Sequence, residues 1–393
     1  MKYSNRKNIR VRYLVAAVIL STSIFWKEHR PQCSPPTLHD SAGLHRCNPI
    51  IGTPQKNYLV DPDGFVQVFR STQIQRAYKS GTKAIVSSAG EKYLPTFITF
   101  LCFLRRTGAR LPVALFMKNW IEYEPYICEA VLSSQNGKCM VLSEVFTGRN
   151  GAKPDLEHFQ LKAFSILFFS FQDAIWMDSD CFFRYDPTNL LTSKPFTSAG
   201  LVTWPDFWSY TVSPTYYNIS RQAIIPTTTR QSTRPPCTPG EGVKDTFVLA
   251  ACALGEKFHT VSEKVVDLGH PAPDGSVLGA AMLHADPIED YALTRRGRWR
   301  MRDESVAKVP RGYWVHAYSP KFNASEDLFS EKTQDKNSHP GRAYTSNEET
   351  LKRLGFDAER AIWEETKTVT CTLEHAFESW KTKTGLCETV TKH

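Results

Sequence analysis

Two aspartates separated by one residue give the strongest chemical signal in this sequence. Asp178 and Asp180 follow the apolar stretch 174–177, which predicts a buried strand that ends at Asp178. Carboxylates at positions i and i+2 of a turn can face one ligand, and their hard oxygen atoms suit Mn²⁺, with Mg²⁺ as an alternative. Such a pair predicts a metal that neutralises charge on a departing diphosphate. Isolated Asp-x-Asp triplets are also common as turn or helix-capping residues.

The segments before this pair predict a parallel sheet covered by helices. An apolar strand is expected over 83–88, a helix over 94–107 that Gly108 terminates, and a second strand over 111–117. Strand, helix and strand at this spacing form a βαβ unit. Because α/β proteins bind ligands at the carboxyl ends of parallel strands, the aspartate pair is expected at a binding edge.

Further elements are expected along the chain from the same patterns. Helices are predicted over 122–132, 157–171 and 245–254, and strands over 197–203 and 312–316. The fold class is therefore α/β.

The composition indicates a globular protein and argues against a nucleic-acid partner. The chain has 393 residues, 41% of them hydrophobic, which is enough to bury a substantial core. Its formal charge of +8 comes from basic residues that are dispersed among acidic ones. Recognition of a nucleic-acid backbone requires a clustered basic patch, so we expect no nucleic acid.

The N-terminus predicts membrane targeting. Five basic residues precede an apolar run at 13–26, and Lys27 closes it. The run is shorter than the roughly 20 residues of a usual membrane helix, so a cleaved signal peptide is the alternative. We favour an uncleaved signal-anchor, with a cytosolic tail at 1–12, a stem at 27–57 and a lumenal domain at 58–393.

The cysteines fit an oxidising compartment, in which disulfides persist. Cys128 and Cys139 are close enough in sequence for a disulfide that closes a loop, and a disulfide between Cys371 and Cys387 could close the C-terminal tail. Cys102 lies in an apolar helical run, as does Cys252, and both are expected to be buried thiols. The sequons at Asn218 and Asn323 agree with a secretory route.

An ordered set of motifs carries a family resemblance over residues 83–321. The motifs are Gln160-Leu-Lys162, Ile175-Trp-Met-Asp-Ser-Asp180, Tyr185-Asp-Pro187, Leu201-Val-Thr-Trp-Pro-Asp-Phe-Trp208, Ser213-Pro214-x-Tyr216-Tyr217, Gly240-Glu-Gly242-x-Lys244-Asp-Thr-Phe247 and Val315-His316-Ala317. Together they resemble the fungal Golgi α-1,2/α-1,3-mannosyltransferases of glycosyltransferase family 71. The resemblance implies a GT-A-like Rossmann-type fold, a GDP-mannose donor, Mn²⁺, and transfer onto a mannose-containing glycan with retention of the α configuration. It also implies a single-pass type II protein of the Golgi membrane, with a Golgi mannosyltransferase complex as a candidate partner.

The resemblance also implies roles for individual residues around the metal. Asp178 and Asp180 would hold the metal and the diphosphate as catalytic residues. His316 is the candidate third ligand, although a single His after a strand is often only structural. Lys162 would contact a phosphate, or it is a surface lysine with its charge in solvent.

Other residues are expected to bind the donor or the acceptor. Trp204, Asp206 and Trp208 would shape the sugar site, with a packed loop as the alternative. Lys244 and the catalytic candidate Asp245 would contact sugar or acceptor, whereas Asp245 could also be a helix cap.

Two other functions stay open, and a departure from the family pattern supports one of them, an inactive relative. Residues 219–239 form a short tract rich in Thr, Pro and Arg. Members of the family usually carry an E-S-G-Q-like segment and a further apolar helix there. The alternatives are a transferase that uses a UDP-sugar, and an inactive relative that binds glycans or scaffolds a complex.

Overall fold

The computed structural model of the chain describes residues 78–145, 160–205, 247–248, 250–252, 255–271, 277–326, 341–345 and 348–392. Ten strands lie within these residues: β1 Lys79–Ser88, β2 Val113–Met117, β3 Gly137–Val141, β4 Phe171–Trp176, β5 Cys181–Phe183, β6 Val202–Thr203, β7 His259–Thr260, β8 Val266–Pro271, β9 Val277–Ala285 and β10 Gly312–His316. The α-helices are α1 Tyr93–Arg106, α2 Leu132–Ser134, α3 Leu142–Val145, α4 Gln160–Phe168, α5 Phe196–Ala199, α6 Pro287–Thr294, α7 Glu348–Leu354, α8 Ala358–Leu373 and α9 Leu386–Lys392.

A parallel sheet of four strands forms the first half of the described structure. Its order is β3-β2-β1-β4, and all three pairings are parallel. The apolar strand β2 is buried along its whole length, and β1 is buried in its second half, as expected of central strands in a sheet that is covered on both faces. The predicted βαβ unit is therefore confirmed.

Helices cover both faces of this sheet, and alternate side chains of its strands pack against them. Ile85 and Leu115 point into the larger hydrophobic cluster with α1, whereas Val86 and Phe116 point into a smaller cluster with Phe164 of α4. Successive side chains of a strand alternate between faces, so one apolar strand serves two cores. The result is a helix–sheet–helix sandwich around β1.

An antiparallel sheet joins the parallel sheet at the aspartate pair. Its order is β5-β10-β9-β8, and its first strand begins at Cys181, directly after Asp180. Strand β10 pairs with β5 so that His316 lies opposite Cys181. The turn at 178–180 is therefore the covalent link between the two sheets.

The C-terminal helices cover the first core from outside. Helix α8 begins after Asp357, whose carboxylate accepts a hydrogen bond from the backbone N of Arg360. It buries Ile362 and Val369 against the cluster that contains α1. The buried carboxylate of Glu359 accepts hydrogen bonds from the backbone N atoms of Ala343 and Tyr344. This helix therefore fixes the segment that precedes it as well as α1.

Several predicted elements differ from the observed ones; β1, for example, begins at Lys79 and not at Lys83. The helix expected over 122–132 begins only at Pro125, because proline is suited to the first helical position. The helix expected to reach Phe171 ends at Phe168, and Phe171 already pairs with Lys79 in the sheet. The strand expected over 197–203 is mostly the helical turn α5, and only Val202–Thr203 are extended.

Both predicted disulfides are confirmed, whereas neither prediction of a buried thiol is fully met. Disulfides join Cys128 to Cys139 and Cys371 to Cys387. Cys102 is a free thiol but is only half-buried; its desolvation is the main cause that raises its pKa to about 11. The prediction of a thiol at Cys252 was wrong, since that residue is disulfide-bonded. An apolar sequence context is compatible with both a buried thiol and a disulfide, so it could not distinguish them.

The predicted N-terminal anchor at 13–26 lies outside the described residues, as do the tail and the stem. Among the helices of the described ranges, none combines the length and apolar character needed to cross a bilayer.

The sequon at Asn323 is part of the core. The Asn323 amide donates from Nδ2 to the Lys92 carbonyl at 2.7 Å and accepts at Oδ1 from Trp380 Nε1 at 2.9 Å. The residue is only 2% exposed, so a glycan on Nδ2 has no room in the folded protein. Asn323 therefore does not support the secretory route that its sequon suggested; Asn218 lies outside the described residues.

We predict that Asn323→Ala lowers the free energy of unfolding by about 2–3 kcal/mol, because it leaves buried polar partners unsatisfied. Ser325→Ala destroys the same sequon but removes only the hydrogen bond from Ser325 Oγ to Asn323 Oδ1, of 3.2 Å. The bond from the backbone N of residue 325 to the same oxygen, of 3.1 Å, is kept. Denaturant unfolding should separate the two variants, and peptide mapping should find Asn323 unmodified. A glycan on Asn323 in folded protein would contradict this assignment.

Candidate functional site

The aspartate pair lies at the carboxyl end of β4, as predicted. Strand β4 ends at Trp176 and pairs with β1, so its end lies at the same edge as Ser88. The backbone N of Met177 still donates to the Val86 carbonyl at 2.9 Å, which holds the strand up to the turn. Beyond this point the chain turns through Ser179 into β5, and the two carboxylates point to different partners.

Asp178 is held by two donors from the parallel half of the fold. Lys162 Nζ in α4 lies 3.0 Å from Asp178 Oδ1, and Trp176 Nε1 donates to the same oxygen at 2.6 Å. Lys162 Nζ also lies 4.9 Å from the centroid of the Trp176 ring, within cation–π range. The Lys162 side chain is 11% exposed, so the alternative of a surface lysine was wrong.

Asp180 is held by two basic groups from the antiparallel half. His316 Nε2 lies 3.1 Å from Asp180 Oδ1, and Lys321 Nζ forms an ion pair with Asp180 Oδ2. Burial alone would raise the pKa of Asp180. The hydrogen bond with His316 and the charge of Lys321 outweigh burial and hold that pKa below its usual value. Asp180 is therefore an ionised carboxylate inside the protein.

The donor atoms around Asp180 fit a divalent metal ion. Ligand atoms of Asp180, Cys181 and His316 all lie within 4.8 Å of one another. Carboxylate oxygen and imidazole nitrogen are ligands that Mn²⁺ accepts, whereas a thiol is softer. Asp178 is not a member of this group of atoms, and its role as a ligand stays a prediction.

The charges of the four central side chains cancel. Asp178 is paired with Lys162, and Asp180 with Lys321. The cluster therefore has no formal excess of positive charge to attract a diphosphate. A bound divalent cation would supply that excess, which is the role expected of a metal at such a site.

A cavity of about 260 Å³ adjoins Asp178, the first aspartate of the pair. Lys162, Asp178 and Trp176 line one part of it, and Trp204 and Trp314 line another. Most of its remaining lining is apolar, as is common for small-molecule sites with a few polar groups. The cavity therefore brings Trp204 and Lys162, both predicted binding residues, to one space.

Trp204 also has a packing role. Its Nε1 donates to the Ala285 carbonyl at 2.9 Å, and its ring meets Trp314 edge-on at a centroid distance of 5.6 Å. The predicted binding residues Asp206, Trp208, Lys244 and Asp245 lie outside the described residues.

Comparison with known proteins points to one family. A family model of mannosyltransferases matches residues 82–235, which include the aspartate pair, Lys162 and Trp204. The predicted resemblance to fungal α-mannosyltransferases is confirmed. An α-1,2-mannosyltransferase of Candida albicans (MNN21) is 25% identical over 79% of this chain and 61% of the relative.

Two mannosyltransferases of Saccharomyces cerevisiae are also similar to this chain. One (MNN2) is 24% identical over 62% of this chain and 53% of the relative. The other (MNN5) is 34% identical over 38% of this chain and 26% of the relative. The chain thus spans between about half and three fifths of the length of the mannosyltransferases that it matches most broadly.

Three residues of the site had no role in the sequence analysis. Trp176 and Cys181 stand beside the aspartates, so their positions in the motif could have drawn attention to them. Lys321 lies 141 residues after Asp180 and carries no motif of its own. Only the antiparallel sheet brings it to the buried carboxylate.

We predict that Lys321→Met lowers the free energy of unfolding at neutral pH by about 1–3 kcal/mol, because Asp180 loses an ionic partner in the interior. Because the pKa of Asp180 is lower in the folded than in the unfolded chain, its ionisation stabilises the fold at pH values above the unfolded pKa. This stabilisation is lost as pH falls through the folded pKa. The difference between the variant and wild type should therefore shrink on acidification. Denaturant unfolding at several pH values measures it.

Lys264→Met is the matched control. Lys264 is 3.3 Å from Glu304, and both side chains are 69% exposed, so this pair should contribute little at any pH. Equal effects of the two variants at neutral pH would contradict the role given to Lys321.

Proposed function

We propose that this chain is a metal-dependent glycosyltransferase that transfers mannose from GDP-mannose to a mannose-containing glycan with retention of the α configuration. The observation that carries the proposal is the turn at 178–180. At this turn Asp178 contacts Lys162, which lines the cavity, and Asp180 contacts His316 and Lys321. The similarity to mannosyltransferases supports the choice of sugar.

Asp180 and His316 would bind the metal, and Asp178 is a further candidate ligand. When bound, Mn²⁺ would stabilise negative charge on the diphosphate as a Lewis acid, and Mg²⁺ is the alternative. Lys162 and Lys321 are placed to exchange their aspartate partners for phosphate oxygens. Their ammonium groups would then add to the stabilisation of the leaving group.

The transfer itself exchanges one C–O bond for another. The bond between the anomeric carbon and the diphosphate breaks, and its electron pair leaves on GDP. The acceptor oxygen forms the new bond on the same face, and its proton leaves to the released diphosphate. The cavity's apolar lining, which includes Trp204, would keep water from competing with the acceptor.

The expected location follows from the N-terminal sequence and the family. We propose a single-pass type II protein of the Golgi membrane whose lumenal part carries the site. The lumen is oxidising, which accords with two disulfides in the described residues.

We predict that Asp180→Asn lowers transfer from GDP-mannose by about 100-fold or more, because charge stabilisation at a leaving group is worth that much. Transfer is measured with labelled GDP-mannose, Mn²⁺ and a mannose oligosaccharide, beside a panel of UDP-sugars. Asp303→Asn is the control, since Asp303 is exposed and bonds only within its own turn.

Two results would count against the proposal. Full transfer by a protein with both Asp178→Asn and Asp180→Asn would refute metal-assisted catalysis at this turn. Preference for a UDP-sugar over GDP-mannose would refute the donor.

A further inference from the structure

A group of large apolar side chains is exposed on the segment that follows β2. Trp120 is 56% exposed, Ile121 86% and Tyr126 59%. Tyr123 lies between them and is partly buried. We call these four residues the aromatic rim. Single exposed apolar residues are ordinary, but several within seven positions of sequence mark an interaction surface.

The aromatic rim is held in place by polar contacts. Trp120 Nε1 donates to Glu144 Oε1 at 2.8 Å, and the Trp120 ring meets the Tyr123 ring edge-on at a centroid distance of 4.9 Å. The Tyr123 hydroxyl donates to Glu129 Oε1 at 3.2 Å. A surface whose rings are already fixed loses little conformational entropy when it binds a ligand.

The aromatic rim lies beside the candidate site. It follows the carboxyl end of β2, the neighbour of β1 in the parallel sheet. A Cβ atom at Gly90, after β1, would lie 2.4 Å from Glu122 Oε2, so the two loops touch.

Tyr93 continues this surface toward the aspartates. Its backbone N donates to the Gly90 carbonyl at 3.0 Å, and it is 40% exposed. The Lys321 ammonium group lies 5.7 Å from the centroid of its ring, and the same group pairs with Asp180. An unbroken series of contacts thus runs from Asp180 through Lys321 and Tyr93 to the loop that carries the rim.

The chemistry of the aromatic rim suits a neutral, hydroxyl-rich ligand. Aromatic faces pack against the apolar C–H faces of a sugar ring, and carboxylates accept hydrogen bonds from its hydroxyls. Glu122, Glu129 and Glu144 stand around the rim, so an anionic ligand such as a nucleotide phosphate would be repelled there.

We propose that the aromatic rim binds the acceptor oligosaccharide, at sugar units beyond the one that receives mannose. This inference rests on the proposed function, because it takes the acceptor to be a mannose-containing glycan. The rim would add affinity for long acceptors, and a single mannose would not reach both it and the aspartate pair.

The test is steady-state transfer by the full chain with two acceptors, methyl α-mannoside and a linear mannose oligosaccharide. Trp120→Ala should raise KM for the oligosaccharide about five- to tenfold, the range expected for one lost aromatic contact. The kcat and KM values for methyl α-mannoside and GDP-mannose should stay unchanged. Tyr126→Ala should act in the same direction.

Two further variants act as controls. Trp120→Phe keeps a ring face and should retain most of the affinity for the oligosaccharide. Met301→Ala removes another side chain that is 56% exposed, outside the rim, and should have no effect. Thermal unfolding of each variant shows whether it has folded.

An unchanged KM for the oligosaccharide in Trp120→Ala and Tyr126→Ala would overturn the inference while leaving the transferase proposal intact. An equal rise of KM for both acceptors would also overturn it, because the rim would then act on the whole fold. If wild type transfers no mannose, equilibrium dialysis with the labelled oligosaccharide replaces the kinetic assay. Binding of the oligosaccharide by wild type that is lost in Trp120→Ala would then support acceptor binding by the aromatic rim. An absence of binding by wild type would refute it.

Discussion

A buried negative charge at the junction of two sheets is the constraint on which this structure depends. Asp180 is only 5% exposed, and an isolated carboxylate in that position would cost several kcal/mol or would become protonated. Its partners, His316 and Lys321, both come from the end of β10 and the segment that follows. The antiparallel sheet must therefore dock against the parallel one in a single arrangement for the charge to be balanced. The same docking builds the site.

The neighbouring carboxylate links the site to the other half of the fold. Asp178 turns toward Lys162 of α4 and Trp176 at the end of β4. Helix α4 packs on β1 through the smaller hydrophobic cluster, so the position of Lys162 follows from the core. One three-residue turn is thus fixed from two sides by two different cores. Such fixation is what a site needs if its charges are to be in place before substrate binds.

The sequence predicted the first half of the fold better than the second. Strands β1 and β2 and helix α1 are compact apolar runs, and Gly108 has the positive φ of +90° that ends the helix. The aspartate pair follows from the same reasoning, because β4 is apolar and its end is polar. In these segments the local pattern and the tertiary structure agree.

Elements whose character depends on distant partners could not be predicted. A strand was expected over 197–203, yet the segment between Pro195 and Gly200 forms a helical turn, and only Val202–Thr203 are extended. Strands β8 and β9 were not predicted, since their pairing with each other and with β10 decides their form. Lys321 carries no local signal, and its function follows only from the charge that it neutralises. The sequence also suggested a glycosylation site at Asn323, but the folded chain buries this side chain, and its Nδ2 donates to the Lys92 carbonyl.

The central claim is that the turn at 178–180 holds a divalent ion against the diphosphate of a sugar nucleotide. Isothermal titration calorimetry of GDP into the full chain, with and without Mn²⁺, tests it most directly. We expect binding that requires Mn²⁺ in wild type and is lost in Asp180→Asn. Equal binding of GDP in the presence and absence of Mn²⁺, or unchanged Mn²⁺-dependent binding by the variant, would contradict the claim.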